Sequence, residues 1–225
     1  MILLSDLGKQ YKDESGEIWP VKGIDLQIND GRFVSICGRS GSGKSTLLKL
    51  MGCLLTPTEG TVRIDNTDIY ALNEKQKSEY RCKTIGFVFQ DYFLEEMYTV
   101  YQNVEIVLMI ANTDPKLRKD KIEGALKRVG LLHKRDSYVR NLSGGEKQRV
   151  CMARAIVNDP AIIFADEPCG NLDWENGQVI MRLLRGLVDE GKTVVLVTHN
   201  IDDADLTDEI ITLQDGTIIN HEIKR

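Results

Sequence analysis

Short runs of apolar residues recur along the chain, and each of them ends at a glycine-rich or polar segment. Four runs are apolar almost throughout: Phe33–Cys37, Ile85–Phe89, Ala161–Ala165 and Thr193–Thr198. Continuous hydrophobicity over about five residues is typical of strands that are buried on both faces of a sheet. Helical patterns lie between these runs, so the sequence predicts an α/β fold whose core contains parallel strands.

Other segments predict antiparallel strands with one face in contact with solvent. Turn signals at Asn29–Gly31 and Gln214–Gly216 bound some of them. The strand-like segments are Ile2–Leu4, Val21–Ile28, Thr61–Ile64, Ile210–Leu213 and Thr217–Ile219. We therefore expect an antiparallel β subdomain near the start of the chain and a hairpin at its end.

The sheet pattern stops between residues 91 and 158, where helical periodicity takes over. The periodic segments are Val104–Ala111, Leu117–Val129 and Glu146–Val157, and a further helix is expected from Gln178 to Glu190. We predict a single domain, 1–225, in which residues 1–90 and 159–225 form the core and the β subdomain, and 91–158 form an inserted helical subdomain. Apolar residues at 92–94 and 97–98 are explained either by internal packing or by an exposed docking surface.

Composition excludes several classes of protein. The chain has 225 residues, enough for one domain with a substantial core, and its formal net charge is −5. A chain with this negative charge offers no broad basic surface, so we expect no nucleic-acid partner. The five cysteines include no C-x-x-C pair, so they are expected to be reduced core residues and not metal ligands.

Nothing in the hydrophobic pattern predicts a signal peptide or a membrane span. Ser5 and Asp6 interrupt the apolar start of the chain, and the central apolar run Val104–Ala111 is far too short to cross a bilayer. We therefore expect a cytoplasmic protein that reaches the inner face of the cell membrane only through a partner.

A phosphate-binding loop follows the first core strand. The pattern G-x-x-x-x-G-K-[ST] lies between that strand and a predicted helix, which is the context that the motif requires. Its residues are Gly38, Arg39, Ser40, Gly41, Ser42, Gly43, Lys44, Ser45 and Thr46. Glycines let successive backbone N–H groups point at phosphate oxygens, Lys44 supplies a cation, and the Ser45 hydroxyl can bind Mg²⁺. The loop predicts nucleotide binding.

Polar residues at the ends of the other core strands are candidates for the same ligand, because α/β sheets bind ligands at the carboxyl ends of their strands. Gln90 follows one strand, Asp166 and Glu167 follow another, and His199 follows a third. Asp166 could hold Mg²⁺ through water, and Glu167 could activate the attacking water as a general base. Tyr11 is either a surface tyrosine or an aromatic platform for adenine.

The segment Leu142–Glu146, with sequence LSGGE, resembles the signature motif of ATP-binding-cassette (ABC) ATPases. It lies between the phosphate-binding loop (Walker A) and the acidic strand end (Walker B), in the order of that family, and the resemblance covers nearly the whole chain. It implies a P-loop NTPase core of the RecA-like type, with an antiparallel β subdomain and an inserted helical signature subdomain. ATP and Mg²⁺ are the implied cofactors.

The resemblance also implies a role for each candidate residue. Tyr11 corresponds to the aromatic residue that stacks on adenine, Gln90 to the glutamine that senses Mg²⁺ and the γ-phosphate, and His199 to the switch histidine. Ser143 and Gly145 correspond to signature residues that cap the ATP held by the opposite subunit. Asp166 and Glu167 correspond to the metal-binding acid and the catalytic base, and Asn171–Asp173 to the D-loop.

The signature segment also implies two chains on physical grounds. Ser143 and the two glycines after it open a helix, and a helix N-terminus offers N–H groups and a positive dipole to phosphate. Because one chain needs only one such site for its own ATP, a second anion-binding helix end predicts a head-to-tail dimer that closes on two nucleotides.

Motifs around residues 86–90, 102–105 and 166–173 are similar to those of the macrolide-exporter and lipoprotein-release group of this family. The sequence departs from that group at Cys169, where threonine is usual, and in residues 91–100, which correspond to the region that faces the membrane subunit in that family. We therefore expect an ATPase subunit that powers an integral-membrane permease, of the exporter type. The alternative is an ATPase that moves a membrane partner mechanically, as in cell division, without transport.

Overall fold

The computed structural model describes residues 1–13 and 16–224. The strands are β1 Ile2–Asp13, β2 Gly16–Ile28, β3 Phe33–Cys37, β4 Glu59–Ile64, β5 Thr67–Asp68, β6 Ile85–Phe89, β7 Ile162–Asp166, β8 Thr193–Val197, β9 Glu209–Gln214 and β10 Thr217–Ile223. The helices are α1 Lys44–Met51, α2 Glu74–Thr84, α3 Val100–Ile110, α4 Pro115–Arg128, α5 Gly144–Ile156, α6 Trp174–Asp189 and α7 Ile201–Asp205. The chain divides into two compact units: a first unit, Met1–Ser78 with Leu187–Arg225, and a second unit, Glu79–Gly186.

The first unit contains an antiparallel sheet in the order β2-β1-β4-β5. Ile2 pairs with Ile28 on one side and with Ile64 on the other, so three apolar side chains lie side by side in adjacent strands. All three are buried, and burial of aliphatic side chains of this kind stabilises the folded chain by about 1.5–3 kcal/mol each. The antiparallel β subdomain predicted from the sequence is therefore present.

The first unit also contains the strands β10-β9-β3-β8 in this order. β3 pairs in parallel with β8, where Ile36 lies opposite Val197, and in parallel with β9 on its other side. Every residue of β8 is buried, which explains its continuous apolar sequence. The parallel pairing of β3 and β8 brings the residues after Cys37 and the residues after Val197 to the same edge of the sheet.

In the second unit β6 and β7 pair in parallel, and Phe89 lies opposite Asp166. Phe87 stacks on both Phe89 and Phe164, with ring centroids 5.6 and 5.7 Å apart. The helices α3, α4 and α5 of this unit pack on one another, and α5 also packs on β6. The mixed α/β architecture is the one predicted.

Helix boundaries follow the capping residues and not the first apolar position of each pattern. α3 begins at Val100, where Thr99 and Gln102 form a reciprocal capping box, and not at the predicted residue 104. Asp114 caps α4, and Pro115 occupies its first position. The expected helix from Gln178 begins earlier, at Trp174.

Helix α2 was not predicted because it has no apolar stripe. None of its residues, all of which the structure describes, is buried, so its sequence carries no helical periodicity of hydrophobic positions. In the described part of the chain, every helix falls short of the length and hydrophobicity that crossing a membrane requires. The proposed boundaries of a helical subdomain at residues 91 and 158 stay a prediction.

The packing of β6 against α5 generates a stability prediction. A Cβ atom on Gly86 would overlap the backbone carbonyl of Ala155 and the Ile163 side chain. We expect Gly86→Ala to lower the free energy of unfolding by about 1–3 kcal/mol, the usual cost of overpacking. Gly124→Ala is the matched control, because a Cβ at Gly124 in α4 meets nothing within 4 Å and alanine favours a helix by up to about 1 kcal/mol. Chemical denaturation of both variants measures the difference, and equal losses would contradict the assignment.

Candidate functional site

The loop between β3 and α1 depends on two glycines that no other residue could replace without strain. Gly38 has φ 150° and Gly43 has φ 102°. A Cβ on Gly38 would collide with the carbonyl oxygen of Leu213 in β9, and a Cβ on Gly43 would collide with that of Pro20 in β2. The loop is thus wedged between two strands of the first unit, and its backbone can approach a ligand closely.

Lys44 points its ammonium group back over this loop. Its Nζ donates hydrogen bonds to the carbonyls of Gly38 and Arg39, each at 2.9 Å, and the residue is only 6% exposed. Within the described part of the chain, the buried Ser42 hydroxyl has no hydrogen-bond partner. A held cation beside an unsatisfied hydroxyl is an arrangement that a phosphate group would complete.

Space for a ligand is present at the same place. A cavity of about 410 Å³ is lined by the loop residues Gly38–Ser42 and by Thr212–Asp215 at the end of β9. Helix α1 begins at Lys44, and among the described residues no side chain caps its N-terminus and no acidic residue lies in its first turn. Its N–H groups and dipole are therefore available to an anion.

His199 lies at the same edge of the first unit as the loop. The Thr198 N–H donates to the Ile36 carbonyl at 3.2 Å, so the residues after β8 lie beside the strand that enters the loop. The His199 side chain is exposed. Nearby Asp203 is buried; its burial raises the pKa of that carboxyl, an effect reinforced by Asp202 and opposed by His199.

Tyr11 lies near the end of β1 and is 44% exposed. The Lys9 ammonium lies 5.3 Å from the centre of its ring, and Lys9 also donates to the Thr56 carbonyl. An exposed aromatic face of this kind can stack on a flat ring system. The sequence showed only an isolated tyrosine, whereas the structure places it on a long strand.

The second unit brings together the strand-end residues Gln90, Asp166 and Glu167. Because Phe89 and Asp166 are paired residues of β6 and β7, the side chains that follow them share one edge. Asn171 forms two hydrogen bonds with Gln90, both at 3.2 Å. The Gln90 side-chain Nε2 donates to Asn171 Oδ1, and Asn171 Nδ2 donates to the Gln90 backbone carbonyl. This pair was not predicted from the sequence.

Glu167 adopts a strained backbone conformation. Its φ is 46°, a region that residues other than glycine rarely occupy, and its carbonyl accepts a hydrogen bond from the Gly170 N–H at 3.0 Å. Strain of this kind is kept where the geometry of a functional group depends on it. The turn begins directly after β7, so Glu167 lies outside the strand.

The signature segment opens α5 with a capping box. The Ser143 hydroxyl accepts from the Glu146 N–H at 3.3 Å, and the Glu146 carboxylate accepts from the Ser143 N–H at 2.9 Å. The bond from the Ser143 backbone is the largest cause of the lowered pKa of Glu146, and Lys134, 3.4 Å away, contributes. Ser143 and Gly144 are exposed, whereas Gly145 is buried.

All five cysteines are free, and the described residues contain no group of three or more His, Cys, Asp or Glu side chains that could hold a metal ion. The Cys169 thiol is half-buried and donates a weak hydrogen bond to the Gly177 carbonyl at 3.7 Å. Cys169 thus fills a position in the turn before α6 where a small hydrogen-bond donor fits.

Comparison with known proteins identifies the family to which these features belong. The ABC transporter family model matches residues 21–170. YknY, an ABC transporter ATP-binding protein of Bacillus subtilis, is 42% identical over 219 residues, which cover 97% of this chain and 95% of YknY. The macrolide export ATP-binding/permease protein MacB of Brucella melitensis is 40% identical over 225 residues, which cover 100% of this chain and 35% of MacB.

A solved structure agrees with these sequence matches. The dimeric structure of the ATP-binding cassette MJ0796, in a post-hydrolysis state bound to ADP and Pi, aligns with a TM-score of 0.92 at 41% identity. The alignment covers 100% of this chain and 99% of that chain. The resemblance predicted from the motifs is confirmed, and so are the fold class and the activity. The chain belongs to the ABC transporter family, as an ATP-binding subunit that hydrolyses ATP.

Proposed function

We propose that this ABC ATPase closes on ATP as a head-to-tail dimer and thereby drives a separate integral-membrane permease of the exporter type. The observation that carries the proposal is that one chain has two helix N-termini beside glycines: that of α1 at Lys44, which has no side-chain cap, and that of α5 at Ser143. The capping box of α5 occupies the N–H groups of Ser143 and Glu146, and the N–H groups of Gly144 and Gly145 are not part of it. The dimeric state of the MJ0796 cassette supports the dimer, and the similarity to MacB, a protein with its own permease part, supports the exporter.

The residues of the phosphate-binding loop supply the binding of ATP in this proposal. Lys44 exchanges one of its loop carbonyls for the β- and γ-phosphates, and the N–H groups from Gly38 to Thr46 surround the phosphate oxygens. Tyr11 stacks on adenine with the ring face left open beside Lys9. His199 follows β8 and lies at the same edge of the sheet as the loop, from which it donates a hydrogen bond to the γ-phosphate.

The proposed metal site uses Ser45, Gln90 and Asp166. A hydroxyl, an amide and a carboxylate offer oxygen atoms, which are the ligands that Mg²⁺ prefers, and a magnesium ion beside phosphate keeps several water ligands. A small protein donor set of this chemistry therefore fits Mg²⁺, which when bound neutralises charge on the phosphates. Asn171 Oδ1 accepts a hydrogen bond from the Gln90 amide and so orients it, while Asn171 Nδ2 donates to the Gln90 backbone carbonyl.

Glu167 is the proposed general base. Its carboxylate orients the attacking water and withdraws a proton from it, which requires the side chain to stay in one position during the reaction. The turn closed by the Gly170 N–H and the left-handed backbone at Glu167 fix that position. In the proposed dimer, Ser143 and Gly145 of the partner subunit cap the γ-phosphate from the opposite side.

The proposed docking surface for the permease consists of Phe93, Met97 and Tyr98. These side chains are 69%, 65% and 45% exposed, respectively. Arg154 fixes the segment by donating to the carbonyls of Tyr92 and Phe93, and the Phe93 ring packs edge-on against Phe89 with centroids 5.6 Å apart. The exposed acid Glu95 lies between the apolar residues, whereas the neighbouring Glu96 is paired with Lys147 at 2.9 Å. We therefore expect a partner segment that is mainly apolar and carries a basic residue opposite Glu95. A partner moved mechanically without transport would use the same surface.

The assembly itself can be tested by affinity purification of the protein from its native membranes, followed by mass spectrometry. Recovery of an exporter-type permease supports transport. Recovery of a division or cell-wall protein supports the mechanical alternative. Repeated recovery of this chain alone, under gentle conditions, contradicts the membrane partner.

The proposed base predicts the behaviour of Glu167→Gln. The amide keeps the size of the side chain but cannot accept the proton, so we expect ATP binding to persist and hydrolysis to fall by about 10²-fold or more. ATP should then hold the variant as a closed dimer, which light scattering at saturating ATP measures. A variant that stays monomeric under those conditions contradicts the shared site, and a variant that hydrolyses ATP at the normal rate contradicts the assigned base.

The docking surface predicts a separable defect for Phe93→Asp. Aspartate tolerates the left-handed backbone at this position, where φ is 46°, and it removes the exposed aromatic ring. We expect recovery of the permease to fall by about tenfold or more, as for loss of an aromatic anchor residue, while the ATPase rate of the isolated protein stays within about twofold. Ile223→Asp is the control, because Ile223 in β10 is similarly exposed, at 65%. Equal recovery of the permease with the two variants would show that the surface lies elsewhere.

A further inference from the structure

Asn176, in the first turn of α6, contacts two separate segments of the second unit. Its Nδ2 donates to both carboxylate oxygens of Asp173, at 3.0 and 2.9 Å, and its backbone N–H donates to Asp173 Oδ1 at 2.8 Å. Its Oδ1 accepts from Arg149 Nη1 of α5 at 3.3 Å. The bonds from Asn176 are the largest cause of the lowered pKa of Asp173. Every polar atom of this side chain therefore has a fixed partner.

The amide of Asn176 lies directly against Gly145, the fourth residue of the signature segment Leu142–Glu146. A Cβ atom built on Gly145 would overlap the Cγ, Oδ1 and Nδ2 atoms of Asn176. This contact explains why Gly145 is buried while Ser143 and Gly144, at the same helix end, are exposed. The amide cannot move aside cheaply, because Asp173 and Arg149 both hold it.

We propose that Asn176 is a positioning residue that fixes the N-terminal turn of α5, so that this turn meets the phosphates of the ATP bound by the partner subunit. The inference rests on the proposed head-to-tail dimer. Asn176 touches no ATP in this scheme. It acts on the opening turn of its own chain, and the affected hydrolysis takes place on the nucleotide of the other chain.

Two disabled variants of the full chain separate these roles. A signature-defective chain carries Ser143→Arg and keeps its loop, and a loop-defective chain carries Lys44→Ala and keeps its signature. Neither should hydrolyse ATP alone. Their mixture contains one complete site, formed by the loop of the first chain and the signature of the second, and should recover part of the wild-type rate. Thermal melting of each chain before mixing checks that both are folded.

Asn176→Ala is then added to one chain or to the other. The recovered rate should be about tenfold or more lower when the substitution is on the chain that donates the signature than when it is on the chain that donates the loop. A loss of this size is expected when a group that contacts the transition state is displaced by a fraction of an ångström. Arg182→Ala on the signature donor is the matched control, since Arg182 is an exposed residue of the same helix. Equal rates for the two placements overturn the inference. A mixture of the parent chains that recovers no activity contradicts the shared site and, with it, the inference.

A second measurement uses the melting temperature and does not depend on ATP hydrolysis. Gly145→Ala in the otherwise wild-type chain should lower the melting temperature by about 2–4 °C or more, because the new methyl group meets the held Asn176 amide. In the Asn176→Ala background that overlap disappears, and alanine is the better helix former, so the same substitution should leave the melting temperature unchanged or raise it. Equal losses in the two backgrounds would show that Gly145 and Asn176 are not coupled.

Discussion

The site depends on the hydrogen bonds that hold the buried ammonium group of Lys44 to its own loop. A buried cation is costly unless hydrogen-bond acceptors surround it, and here the acceptors are the carbonyls of Gly38 and Arg39 in the same loop. Gly38 itself has a φ of 150°, and a Cβ at this position would overlap the Leu213 carbonyl. The loop packs against Leu213 of β9 and Pro20 of β2, so the phosphate site depends on the packing of the first unit.

The sequence predicted the parts of the fold that burial determines. β8 and β3 are apolar except at Thr193 and Ser35, because both of their faces are covered, and the alternation in β4 arises because one of its faces is exposed to solvent. Helix α2 could not be predicted on this basis, since none of its described side chains is buried. The starts of α3 and α4 were misplaced, although Thr99 with Gln102 and Asp114 with Pro115 carried the capping signal in the sequence.

For the site, the sequence predicted which residue types lie at strand ends, because parallel strands bring their carboxyl ends to one edge. The sequence did not predict contacts between side chains that are far apart in the chain. The Gln90–Asn171 pair and the contact of Asn176 with Gly145 depend on how loops and helices pack after the sheet has formed. No local sequence pattern predicts the positive φ of Glu167 either, because the surrounding turn imposes a conformation that is unfavourable for a residue other than glycine.

Those unpredicted contacts lie on one short segment, residues 171–176. Asn171 bonds to Gln90, and Asn176 accepts a hydrogen bond from Arg149 of α5 and lies against Gly145 in the opening turn of that helix. β6, which ends before Gln90, also carries Phe89, whose ring meets Phe93 in the proposed docking surface. Contacts between neighbouring residues of the second unit thus connect the proposed docking surface with the turn at Ser143. A partner bound at that surface would be coupled to ATP through this connection only if its residues have two discrete arrangements, because spatial contact alone does not transmit a change.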